Sequence, residues 1–121
     1  MIETDLLKIF TGVNLETFDF EDEDDLNAFL EEVISMASSM IEDYCNYTFD
    51  DNPPAAVKNV CLRLSANIIA QAVARQDIDL LRAGEYSNKL LDSRVFTDDL
   101  KEDLRPYINI TIQFDPTYNE S

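Results

Sequence analysis

The chain has 121 residues, 25 acidic and 9 basic, giving a net charge of −16, with 45% hydrophobic residues and no histidine. That length suits one domain with one core, and the hydrophobic content argues against wholesale disorder. The acidity disfavours binding to nucleic-acid phosphates, the absence of His removes the commonest general base and metal ligand, and no apolar run approaches the ~18–20 residues of a membrane span.

The start, Met1-Ile2-Glu3-Thr4-Asp5, lacks the basic run of a signal peptide, so the chain is expected to be soluble and to fold where it is made. Residues 3–10 read as a short helix or turn with Leu6, Leu7 and Phe10 on its apolar side, broken at Thr11-Gly12-Val13-Asn14. An acidic lead-in, Asp19, Glu21, Asp22, Glu23, Asp24 and Asp25, suits the positive end of a helix dipole. The first long helix is expected from about Asp24 to Tyr44. Leu26, Phe29, Leu30, Val33, Ala37, Met40, Ile41 and Tyr44 recur there at helical spacing, with Glu31, Glu32, Ser35, Ser38, Ser39, Glu42 and Asp43 opposite.

After a loop over 46–54, with Asp51 or Asn52 as the expected N-cap, a second long helix is expected from about Pro54 to Gln76. Val57, Val60, Cys61, Leu64, Ile68 and Ala72 form one face. Leu62, Ile69 and Val73 add apolar surface beside it, and Ala66, Ala70 and Ala74 form a small-residue ridge. Such a helix is either the central helix of the domain or also meets another subunit. Residues 77–83 either prolong it or form a short helix, and 85–91 are ambiguous between an extended arm and a turn. Thr97-Asp98-Asp99-Leu100 reads as an N-cap and acidic first turn of a third helix, ending near Tyr107 at Pro106. In the tail Ile108, Ile110, Ile112 and Phe114 alternate with polar residues, a strand signal that wants a partner: residues 85–95, another subunit or another protein.

The fold class expected is therefore all-α. It is a small bundle of two long antiparallel helices with short flanking helices and an extended C-terminal tail or strand, a single domain over 1–121 with 108–121 as the tail. Charge is uneven along it: residues 1–54 carry 15 acidic side chains and one Lys (Lys8), whereas residues 55–121 carry 10 acidic and 8 basic.

Chemistry finds little footing. Counting an EF-hand loop from Asp19 places Asp24 where Gly is needed and Leu30 where a bidentate Glu is needed, so no metal site is expected. Adjacent acids such as Asp50-Asp51 and Asp98-Asp99 are explained by helix starts. Cys45 and Cys61 are not at metal-ligand spacing and read as reduced, partly buried thiols. With two Gly there is no phosphate loop. Neither catalysis nor a cofactor is expected, and the remaining features are surfaces for assembly.

The order of elements resembles the head–tail connector (adaptor, or head-completion) proteins of long-tailed double-stranded DNA phages and prophages. The resemblance is carried by the short leading helix, the acidic start of a helix ending Ile41-Glu42-Asp43-Tyr44-Cys45, and the Pro53-Pro54 loop. It continues through Val57-Lys58-Asn59-Val60-Cys61-Leu62-Arg63-Leu64, Gly84-Glu85-Tyr86-Ser87, and a last helix through Leu104-Arg105-Pro106-Tyr107. It implies a structural virion protein of the head–tail junction, assembled in the bacterial cytoplasm. It also implies a self-assembled ring of about twelve subunits beneath the portal protein. That ring extends the DNA channel, lets DNA pass without specific binding, and docks the stopper or tail-completion protein. Within it, Ile108, Ile110, Ile112 and Phe114 would add a strand to the portal or a neighbour. Ala66, Ala70 and Ala74 would pack within the domain or on a neighbour, and the acidic segment 19–25 would face the lumen or solvent. The readings from other classes are an acidic DNA-mimic inhibitor and a small regulatory protein-interaction domain.

Overall fold

Apolar residues three and four apart build the long helices, and the computed structural model, which describes residues 1–17, 20–50, 52–75 and 95–109, arranges them as an all-α bundle. Helix α1 covers Thr4–Thr11, α2 Glu23–Cys45, α3 Ala55–Arg75 and α4 Asp98–Leu104, with 3-10 turns at Leu15–Thr17 and Arg105–Tyr107. The alternation beyond Asn109 and the readings for 77–91 lie outside the described residues.

Local chemistry sets the helix ends. Asp22 caps α2, its carboxylate accepting the Asp25 N–H at 2.9 Å, and Glu23, Asp24 and Asp25 occupy the first turn. Asn46 stops α2 in the left-handed conformation (φ 53°), with the Asn46 and Tyr47 N–H groups returned to the Asp43 and Glu42 carbonyls. Gly12 does the same for α1 at φ 74°, where its lack of a Cβ removes the strain. At the start of α3 one of the two expected N-caps, Asp51, lies outside the described residues. The Pro54 carbonyl accepts the Lys58 N–H at the start of α3, while the Asn52 side chain accepts the Lys58 ammonium instead. Thr97 stands at the N-cap of α4, but its hydroxyl bonds to the Asp99 carboxylate rather than to a backbone N–H.

Helix α3 is the hub. It packs on α1, α2 and α4, and α2 also meets α1 and α4. Ser38, about two turns before the end of α2, lies 3.8 Å from the Cys61 thiol, about two turns into α3, as an antiparallel hairpin requires. From α2 the core takes Leu26, Phe29, Leu30, Val33, Ala37, Met40 and Ile41; from α3 it takes Val57, Val60, Cys61, Leu64, Ile68 and Ala72. Leu62 and Ile69 are buried too, so α3 is covered over most of its circumference, while Val73 is 48% exposed. Val95, Phe96, Leu100 and Leu104 close the far side, and Phe20 seals the base against Phe29 with ring centroids 5.6 Å apart. The apolar side expected for the first helix is corrected: Leu7 is fully buried, but Leu6 and Phe10 are exposed.

Both thiols sit in this core. Burial pushes Cys45 up from 9.0 to about 11, and burial likewise raises Cys61, opposed in part by its contact with Ser38. The folded chain thus keeps protons that the unfolded chain releases above pH 9. Their contribution to stability is full below pH 9 and is lost as pH rises through about 11. The urea midpoint of the wild type is expected to fall more between about pH 8 and pH 10.5 than that of Cys45→Ala; equal falls would contradict this assignment. Leu64→Ala, at the centre of α3, should cost about 2–5 kcal/mol by urea unfolding, whereas Ile9→Ala on the outer face of α1 should stay within about 0.5 kcal/mol.

Candidate docking surfaces

The surfaces that remain available for contact begin on α1. Its eight residues carry apolar side chains on two sides, and the bundle uses only one. Leu7 faces the core, while Leu6, Ile9 and Phe10 are 46%, 80% and 53% exposed. They stand at i, i+3 and i+4 and so form one outward stripe. Sequence reasoning missed Ile9 here. Leu7 stands three residues before Phe10 and so adjoins this stripe, which left the choice of buried face open to sequence reasoning.

The acidic segment lies beside this helix. Glu21, Asp22, Glu23, Asp24 and Asp25 are all exposed, and the Lys8 ammonium reaches the Glu23 carboxylate at 3.1 Å, tying the middle of α1 to the first turn of α2. Asp19 lies outside the described residues.

A second surface forms where the chain leaves α4. Tyr47, Phe49, Pro53, Pro54, Pro106, Tyr107 and Ile108 are among the residues lining a cleft of about 430 Å³ between the α2–α3 loop and the 3-10 turn after α4. The loop is pinned by the Phe49 N–H donating to the Glu42 carboxylate at 2.9 Å, and the Tyr47 and Phe49 rings meet edge-on at 5.0 Å. The Asn109 N–H donates to the Cys45 carbonyl at 2.7 Å, so the tail departs from the end of α2. Ile108 is half-buried and extended there; Ile110, Ile112 and Phe114 lie outside the described residues. The loop aromatics gave no periodic signal in the sequence.

Of the small-residue ridge, Ala66 is half-buried and Ala70 exposed, and the side chain of Ala74 lies outside the described set. Arg63, one turn earlier, bridges α3 to α4 through Asp99 at 3.7 Å and through Asp103. The Thr97 hydroxyl, foremost, holds the Asp99 carboxyl below its ordinary range, with the Asp99 and Leu100 N–H groups and Arg63 acting in the same direction. Beside this contact, Tyr44 and Phe96 meet edge-on at 5.4 Å, and the Lys101 ammonium lies 5.9 and 5.3 Å from their ring centres.

Among the described residues no three His, Cys, Asp or Glu side chains are grouped to hold a metal ion, and no helix is long and apolar enough to cross a membrane. Two surfaces stand out among the described residues: an apolar stripe with an acidic flank, and an aromatic and proline cleft at the root of the tail.

No curated protein and no solved structure matches the chain. The family model described as phage gp6-like head-tail connector protein matches residues 5–107, which contain α2, α3 and α4 whole and all of α1 but its first residue. The chain therefore belongs to the phage gp6-like head-tail connector family, whose members are structural components of the virion.

Proposed function

We propose that the chain assembles as a ring of about twelve copies beneath the portal, extends the DNA channel and presents a platform to the stopper or tail-completion protein. The observation that carries this reading is the family match across residues 5–107. On this reading the chain is made and assembled in the bacterial cytoplasm, and the 1–121 chain works as one unit with residues 108–121 as its docking arm.

Four physical features support it. A channel wall for DNA has to release phosphate, and a chain of net charge −16 offers few cations to hold it. The exposed acidic turn at Glu21–Asp25 suits the lumen or the solvent-facing rim of such a ring. An alternating tail rooted at Asn109 suits strand addition to the portal or to a neighbouring copy, where its backbone groups gain partners. The exposed Ala70 offers a close-approach point for a neighbour.

The acidity also sets a condition on assembly. Copies carrying −16 each repel one another, and salt screens that repulsion over roughly 8–10 Å. The ring is therefore expected to form on the portal, or at high concentration or raised salt, and not from dilute chains in low salt. Light scattering across concentration and salt, with and without a portal from the same genome, measures this. Recruitment of many copies per portal by the full chain, and loss of recruitment for a chain ending at Tyr107, are the expected results. A stable ring in low salt without portal contradicts the assembly rule, and a chain that ignores the portal contradicts the proposed function.

A further inference from the structure

The outer stripe of α1 is only partly explained by the fold, since Leu6, Ile9 and Phe10 stay largely exposed while Leu7 is fully buried. We infer that this stripe is a docking site for a basic amphipathic helix of a partner protein, with apolar residues meeting Leu6, Ile9 and Phe10 and Lys or Arg residues meeting the acidic flank. Charge decides the occupant. At about 100° per residue, Asp5 falls between Lys8 and Ile9 around α1, so an exposed carboxylate borders the stripe. Beyond it the Lys8–Glu23 bond brings up the first turn of α2 with Asp22, Asp24 and Asp25. Lys8 is the single cation among residues 1–54, and Glu23 already engages it.

A second copy of this chain is a poor occupant. Its net charge is also −16, and the cations whose side chains are described have partners: Arg63 with Asp99 and Asp103, Arg105 with Glu102, Lys58 with Asn52, and Lys101 against the Tyr44 and Phe96 rings, while Arg75, Arg82, Lys89 and Arg94 lie outside that set. A foreign helix with a cationic edge satisfies both demands of the site, covering three large apolar side chains and neutralising the carboxylates beside them. The inference rests on the connector reading only in that the natural partner is then sought among the portal and tail proteins.

The test uses a synthetic amphipathic helix of Leu and Lys, titrated into the full chain and followed by amide chemical shifts. Shifts centred on Leu6, Ile9 and Phe10 and on 21–25, with affinity that falls as salt rises, are expected. Ile9→Ser combined with Phe10→Ser should weaken binding about tenfold or more, an effect of the size expected for uncovering two large side chains, while thermal unfolding stays unchanged. Shifts scattered over the acidic surface, or centred on the Tyr47 cleft, overturn the proposal, as does a double variant that binds as tightly as the wild type. Because the shift map of the wild type stands alone, a variant that failed to fold would still leave the proposal open to refutation. A chain that takes the peptide on this stripe yet ignores the portal supports the site and counts against the connector reading instead.

Discussion

A helix apolar around most of its circumference cannot be covered by one neighbour, and α3 places that demand on the whole bundle. Val57, Val60, Cys61, Leu64, Ile68 and Ala72 are fully buried, and Leu62 and Ile69 nearly so. Each buried Val, Leu or Ile among them is worth roughly 1.5–3 kcal/mol against exposure. Helix α2 meets the demand on one side, α1 contributes Leu7, and α4 contributes Leu100 and Leu104. The ion pairs between Arg63 and α4 are partly exposed and screened by water, so they orient α4 while apolar contact holds it.

That division explains how so acidic a chain folds. Among the described residues the buried set contains no carboxylate, and the one fully buried polar side chain is Ser65. Charge is kept at the periphery, where water and salt screen it, and the core is free of its cost. The periphery in turn carries the contact surfaces: the α1 stripe with its acidic flank, and the cleft from which the tail departs. A packed scaffold with functional edges is what a connector in a multi-protein assembly requires.

Much of this was legible in the sequence because long helices repeat their message. Leu26 through Ile41 recur often enough to define one face of α2, and the spread of apolar residues around α3 pointed to a central helix. The short helix α1 was less legible. In eight residues, Leu6, Leu7, Ile9 and Phe10 leave the choice of buried face open, and only packing against α2 and α3 selects Leu7. Caps were legible in position more than in bonding. Thr97 stands at the N-cap of α4 as read, yet its hydroxyl donates to the Asp99 carboxylate, and the Asn52 side-chain oxygen accepts the Lys58 ammonium. The cleft of Tyr47, Phe49, Pro53 and Tyr107 joins segments distant in sequence, so no local pattern announces it.

If a rigid α3-centred bundle meets its partners through its edges, hydrogen–deuterium exchange on the free chain and on its complex with the portal will show it. Slow exchange along the buried stretch of α3 is predicted in both states. New protection is predicted at the edges: the root of the tail at Ile108 and Asn109, the residues beyond it, or the outer side of α1. Exchange along α3 that slows only in the complex would mean that the bundle is not formed until assembly. An unchanged pattern throughout would mean that the portal is not the partner.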